Sequence, residues 1–386
     1  MTGCFLYHGK DVVKIRSTGR SLIYKLKRVE RVYSFHGYVD LKYFFSIFDP
    51  DKRSLVIVSD VVAKCPFLSD VVGEDQIISL IDPPYFGHPH PPLITWPRHF
   101  LPFLDAAIKL RWLFRFTNGK AEAFMLNDFN VFTIFVLTEV FRRKNIKVKH
   151  IDTCAWLRTE RSSDVLIRSR GPQFKKHLNI LSRIAGTEIT EGIYRPIAAG
   201  PDDPGHPASA TAVGYVLADS MEKIEIAVTP WDKLIERFNL GRYAPGENAV
   251  LVIDTLFAEA WPKVDRTRTY ERTANYFASK LRNDQRIHFK PHYLSPGSNV
   301  FQSTVIEGKV DVLEASVPAE VYMEFYDEIY FFSSLSAAFK CKGKKYSLAP
   351  LIAFLSEDEK ERFLTIQKLK FGDEIDNIEL VSDSGS

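Results

Sequence analysis

Arg286-Ile287-His288-Phe289-Lys290-Pro291-His292 opens the stretch on which the reading of this chain turns. A short apolar run, Ile287 to Phe289, stops at a lysine, a proline and a histidine. A polar loop follows and reaches Val317-Pro318-Ala319-Glu320. A second run, Glu328-Ile329-Tyr330-Phe331-Phe332, ends at Ser333-Ser334 and a small-residue helix start, Leu335-Ser336-Ala337-Ala338. Short apolar runs bounded in this way read as buried strands. In a parallel sheet they would bring a histidine and two serines to one edge, where ligands collect. Backbone N–H groups at a helix start, flanked by serine hydroxyls, suit a phosphate. A histidine beside that phosphate can stabilise or protonate it as it leaves. The outline is that of a site for a nucleotide sugar.

Outward from this stretch, the composition sets bounds. The 386 residues suit two domains of ordinary size, each with its own core. A hydrophobic share of 45% with 26% charged residues belongs to a folded, soluble protein. No run approaches the roughly 18 apolar residues of a membrane-spanning helix. Met1-Thr2-Gly3-Cys4 lacks the charged-then-apolar pattern of a signal peptide, so a cytoplasmic location is expected. Cys4, Cys65, Cys154 and Cys341 are widely spaced, which suits reduced thiols and neither a disulfide framework nor a zinc site. A net charge of +3 is too mild to imply nucleic acid. Residues 1–30 are basic, with Asp11 and Glu30 their only acids, and form either a solvated, loosely ordered arm or a peripheral contact with the inner membrane. Near an anionic leaflet each basic residue contributes about 1 kcal/mol.

Beyond the arm, Arg31 to Phe35 is expected as a strand, Tyr38 to Phe48 as a helix and Leu55 to Ser59 as a strand. This rhythm favours a parallel sheet covered by helices. Ile81 to Pro97 is loop, and its Gly87-His88-Pro89-His90 lacks a preceding strand-and-loop context. Helices are expected over Leu101 to Phe116 and Phe129 to Arg143, with strands at Glu122 to Leu126 and Ile146 to Ile151. Residues 196–212 form the plainest loop. Trp231 to Phe238 looks helical, Gly241 to Asn248 reads as a linker, and a fresh strand starts at Ala249-Val250-Leu251-Val252-Ile253. Helices follow at Thr267 to Leu281 and Glu357 to Leu369. The acidic tail, Asp373 to Ser386, is expected to fray. There is no glycine-rich dinucleotide or phosphate loop, which argues against oxidoreductases and phosphate-loop NTPases.

The order Lys290-Pro291-His292, then Pro318-Ala319-Glu320, then strand-Ser333-Ser334 resembles the C-terminal half of bacterial sialyltransferases and polysialyltransferases. The resemblance covers roughly residues 250–350, and residues 120–155 more faintly. Tyr293 stands where that family usually has proline. The resemblance implies an α/β fold of two Rossmann-like domains facing across a cleft, the GT-B architecture. On that reading residues 1–30 are the arm, 31–240 the acceptor domain, 245–372 the nucleotide-sugar domain and 373–386 the tail. It also implies an inverting glycosyltransferase that takes sialic acid, or a relative such as Kdo, from a CMP-activated donor. The acceptor would be a glycan or glycolipid of capsule or lipooligosaccharide synthesis.

Glycosyl transfer needs a base for the acceptor hydroxyl and electrostatic help for the departing phosphate. Asp152 is the candidate base, leaving the sheet after Lys147-Val148-Lys149-His150-Ile151. The family keeps two acids and a glycine there; Ile151 and Thr153 replace the first acid and the glycine. The alternative is that Asp152 caps the next element. His292 is the candidate for assisting the phosphate, or else a loop histidine. Lys290 would add positive charge or simply be solvated. Ser333 and Ser334 would bind phosphate, cap a helix, or both. Glu320, by resemblance, would contact the ribose or base; surface charge is its alternative. No metal is expected, since no Asp-x-Asp triplet ends a strand and helix dipoles can neutralise the phosphate. Two other functions fit parts of the pattern: a polyol-phosphate transferase of cell-wall polymer synthesis, and a catalytically silent glycan- or nucleotide-binding module.

Overall fold

Strands that are apolar along their whole length must be covered on both faces, which is the condition of a parallel sheet flanked by helices. The computed structural model has two such sheets. It describes residues 13–15, 28–35, 37–59, 62–73, 76–80, 120–126, 148–151, 189–193, 213–217, 221–244, 246, 248–255, 263–293, 297–332, 341–371 and 376–382. The chain divides into two units, Met1–Arg195 with Ala210–Val228, and Pro196–Ser209 with Thr229–Ser386.

The first unit holds β1 (Val13–Ile15), β2 (Arg31–Phe35), β3 (Ser54–Ser59), β4 (Ile77–Leu80), β5 (Glu122–Met125), β6 (Val148–His150) and β9 (Met221–Lys223). They lie in the order β1-β4-β3-β2-β5-β6-β9, and every pairing except β1 with β4 is parallel. Apart from the antiparallel β1, the strands follow the doubly wound order 3-2-1-4-5-6 of a Rossmann-like sheet. β3 is buried from end to end, as is β2 after Arg31. Helix α1 (Tyr38–Ile47) begins where the Asp40 carboxylate accepts the Gly37 N–H at 2.8 Å, the reciprocal bond running from Asp40 N–H to the Gly37 carbonyl. It buries Phe44 against the sheet, and Phe45 beside it. Tyr33 meets Phe44 edge-on at 5.1 Å and stacks on Phe124 at 5.2 Å. Helix α2 (Pro66–Val72) adds Phe67, 5.5 Å from Phe45. A separate antiparallel ribbon pairs β7 (Ile189–Ile193) with β8 (Val213–Leu217).

The second unit begins with α3 (Trp231–Arg237) and builds its sheet from β10 (Ala249–Ile253), β11 (Arg286–Lys290), β12 (Val310–Val312), β13 (Glu328–Phe331), β14 (Lys344–Ser347) and β15 (Ile378–Leu380). All five pairings are parallel, and the order β12-β11-β10-β13-β14-β15 is again 3-2-1-4-5-6. Helix α4 (Arg266–Lys280) is capped by Asp265, whose carboxylate accepts the Arg268 N–H at 3.0 Å. Its Phe277 lies edge-on to Tyr330 at 4.9 Å. The short α5 (Ala319–Met323) packs against β10, and α6 (Glu357–Phe371) contributes Phe363 to the core that holds Val252, Phe277 and Phe332.

Two terminal expectations need correction. Part of the basic arm is not loose: Val13 to Ile15 form the edge strand β1, two β-branched residues favouring extended pairing. The tail is likewise not frayed throughout, because β15 pairs with β14 and Val381 donates its N–H to the Ser347 carbonyl. The expected helices at 101–116 and 129–143, and the loops at 81–97 and 196–212, lie outside the described residues. Among the described residues no helix is long and apolar enough to cross a membrane.

Among the described glycines of the second unit, Gly343 stands in the tightest surroundings. A Cβ there would sit inside van der Waals contact with the Tyr326 carbonyl oxygen and 3.0 Å from Ile329 Cδ1. A backbone carbonyl cannot rotate away as a side chain can. Gly343→Ala is therefore expected to cost about 1–3 kcal/mol, as overpacking does. Thermal denaturation indistinguishable from the parent would show that the approach is not tight.

Candidate active site at the edge of the second sheet

In a 3-2-1-4-5-6 sheet the chain runs outward to one side, returns to the centre and then runs outward to the other. The crevice between the two central strands, beyond their carboxyl ends, is where ligands bind. Here those strands are β10 and β13, with β11 on the other flank of β10. Ile253, the last residue of β10, lies opposite Lys290 on one side and Phe331 on the other. The three strands therefore end together, at Asp254-Thr255, at Pro291-His292 and at Phe332.

Asp254 holds the first two ends together. Its N–H donates to the Lys290 carbonyl at 3.0 Å, and its carboxylate accepts the backbone N–H groups of Thr255 and His292. It is 5% exposed, and its Oδ1 has no hydrogen-bond partner among the described residues. Burial pushes this carboxyl up to about 7, against the two N–H donors and the positive Lys290, which favour the ionised form. Asp254 was not anticipated. Its signal was present, since an apolar run ending at once in an acid is the pattern that drew attention to Asp152.

Lys290 is 4% exposed, which overturns its reading as a solvated strand-end lysine. Its Nζ donates to the carbonyls of Pro291 and Ala315, both at 2.9 Å, and so ties the end of β11 to the loop ahead of α5. A buried ammonium is tolerable only with such acceptors. His292 is partly buried and stacks on Tyr293 at 4.4 Å between ring centroids. Burial, and then the Lys290 charge, lower its imidazole to about 4. Near neutral pH the ring is thus uncharged and offers one N–H donor and one acceptor. Glu320 sits in the first turn of α5 and is 8% exposed, so it is not a surface charge either.

The site thus brings Lys290 and His292 together and adds Asp254 to them. Asp152, Ser333 and Ser334 lie outside the described residues. Ile151, just before Asp152, is buried and donates its N–H to the Met125 carbonyl at 2.8 Å in the first unit. Among the described residues no group of three or more histidines, cysteines and acids could hold a metal ion.

No protein-family model matches the chain. No curated protein matches it either. Solved structures similar to it include the UDP-GlcNAc 2-epimerase of Methanocaldococcus jannaschii, at 13% identity and a TM-score of 0.35 over 89% of this chain and 93% of that one. The Neisseria meningitidis UDP-GlcNAc 2-epimerase bound to UDP-GlcNAc aligns at 12% identity and 0.37, over 80% and 79%. A glycosyl transferase family 9 structure from Veillonella parvula aligns at 11% and 0.31, over 80% and 76%. At these TM-scores the likenesses carry no argument about this chain, whose fold and site are read from its own strands and side chains.

Proposed function

We propose that the chain is an inverting glycosyltransferase that moves an acidic sugar, sialic acid or a relative such as Kdo, from a CMP-activated donor to a surface glycan. The observation that carries this reading is His292 at the carboxyl edge of a Rossmann-like sheet, fixed through its own N–H to Asp254 beside the central crevice. The order Lys290-Pro291-His292, Pro318-Ala319-Glu320 and Ser333-Ser334 supplies the nucleotide chemistry by resemblance.

The roles follow from the chemistry. A neutral His292 donates its N–H to a phosphate oxygen and so stabilises charge as it develops, without carrying a full positive charge into the ground state. Ser333 and Ser334 bind the phosphate, and Glu320 binds the nucleoside. Asp152 takes the proton of the acceptor hydroxyl, whose oxygen bonds to the anomeric carbon as the bond from that carbon to the phosphate oxygen breaks. The CMP leaves with that electron pair, and the reaction is expected to run without a metal. The basic N-terminal arm suits weak contact with the anionic membrane surface where such acceptors are made.

A thermal-shift panel tests the donor. CMP or CDP is expected to stabilise the protein, by about 2.7 kcal/mol at a hundredfold excess over Kd, while UDP, GDP and NAD do not. Equal stabilisation by UDP would remove the cytidine assignment.

A further inference from the structure

Two buried acceptors border the seam between β10 and β13. One is Asp254 Oδ1. The other is Oε1 of Gln367 on α6, a residue also 5% exposed, whose Nε2 donates to the Phe332 carbonyl at 3.4 Å. Among the described residues neither oxygen has a hydrogen-bond partner. The pairing of Ile253 with Phe331 sets Asp254 beside Phe332 at the next step, so both side chains serve the same pair of strand ends. Tyr270 of α4 links them in space. Its ring lies edge-on to Phe332 at 6.1 Å, and its hydroxyl is raised by burial and then by the Asp254 charge.

One unmet buried acceptor costs about 1–3 kcal/mol. Two at the seam where a ligand is expected, both unmet among the described residues, are suited to receive hydrogens from a bound ligand. Burial of Asp254 adds to the argument, because a donor meeting Oδ1 would offset the desolvation of its charged form.

We propose that Asp254 Oδ1 and Gln367 Oε1 form a two-acceptor subsite that receives a pair of N–H or O–H hydrogens from the bound nucleotide. The proposal rests on the nucleotide reading above and says what the crevice recognises. A cytidine nucleotide carries two groups of this chemistry, the exocyclic amine of the base and the vicinal diol of the ribose. Replacing the amine by the uracil carbonyl sets an acceptor against two acceptors. Removing the 2′-hydroxyl leaves one acceptor unmet. Sites built around buried polar groups reject analogues lacking the matching group far more strongly than apolar pockets do.

The test is calorimetric binding of CMP, UMP and 2′-deoxy-CMP to the full chain and to Gln367→Met, which keeps the side-chain length and removes the acceptor. The parent is expected to bind CMP at least about tenfold more tightly than one of the two analogues. Weak UMP binding assigns the amine, and weak 2′-deoxy-CMP binding assigns the diol. Gln367→Met is expected to narrow that gap. Equal binding of all three by the parent overturns the subsite and leaves the nucleotide reading in place. A folded Gln367→Met that keeps the whole gap overturns it as well. Binding of none of the three removes the nucleotide reading and the subsite together. Should Gln367→Met not fold, the ranking of the three ligands by the parent still decides.

Discussion

Replacing His292 by alanine is expected to lower sugar transfer by about 10²–10⁴-fold while leaving the second unit folded. The strand end should not move, because the bond that fixes it runs from the His292 backbone N–H to Asp254 and survives the substitution. What is lost is the imidazole with its stack on Tyr293. Since burial and Lys290 keep that ring uncharged down to about 4, its loss removes a neutral donor and not a standing cation. The pH profile of the parent should accordingly carry no limb from His292 near the ordinary imidazole value. Turnover of donor and acceptor, measured beside circular dichroism of the variant, checks the claim. Near-parental transfer by a folded variant would reduce His292 to a loop histidine.

The second large effect is on stability. Asp254 binds its proton more tightly folded than unfolded, so between its ordinary value of 3.8 and about 7 the folded chain holds the extra proton and stability falls as pH rises. His292 does the reverse. Its folded value lies below its unfolded 6.5, so stability rises with pH from about 4 to 6.5. Over the shared window the two slopes oppose each other in the parent. Asp254→Asn removes one of them. The stability of the variant relative to the parent is expected to climb by about 1.4 kcal/mol per pH unit through that window, and to level off above about 7. Denaturant melts of both proteins from pH 4 to 8 measure it. A difference that stays flat with pH would mean that Asp254 titrates as an ordinary exposed carboxyl.

How much of this was legible depended on how each element is stabilised. β10, β11 and β13 could be read directly, because their apolar runs end at Asp254, at Lys290-Pro291 and at Ser333. β12 and β14 could not. Val310-Asp311-Val312 is too short to show a pattern and Lys344-Lys345-Tyr346-Ser347 is mostly polar, and both owe their strand form to partners. Asp311 Oδ1 accepts from the Arg286 guanidinium at 2.8 Å, and Tyr346 stacks on Tyr330 at 4.8 Å. β15 lies in an acidic stretch whose composition says tail, and only the open edge of β14 makes it a strand. In the site, proline marked Lys290 and His292, but not the burial of Lys290, which depends on the Ala315 carbonyl far along the chain. Gln367 sits in a charged helix that carries no sign of the seam it touches.

The shared strand order also says where each sheet is hardest to close. Within the second unit, Val250 of β10 finds Ile287 of β11 along a fairly short stretch of chain. Its neighbour Leu251 must reach Ile329 of β13, about twice as far along the chain. The β2–β5 seam of the first unit, where Arg31 meets Glu122, is likewise longer-range than the β2–β3 seam, where Arg31 meets Ser54. Loop-closure entropy makes the β10–β13 seam the costlier of the two to close, and it is also the seam that borders the candidate site. A ligand seated across Asp254 and Phe332 would act as a staple on it. Amide hydrogens of β13 should then exchange more slowly when the site is filled, beyond the protection given to the residues in direct contact.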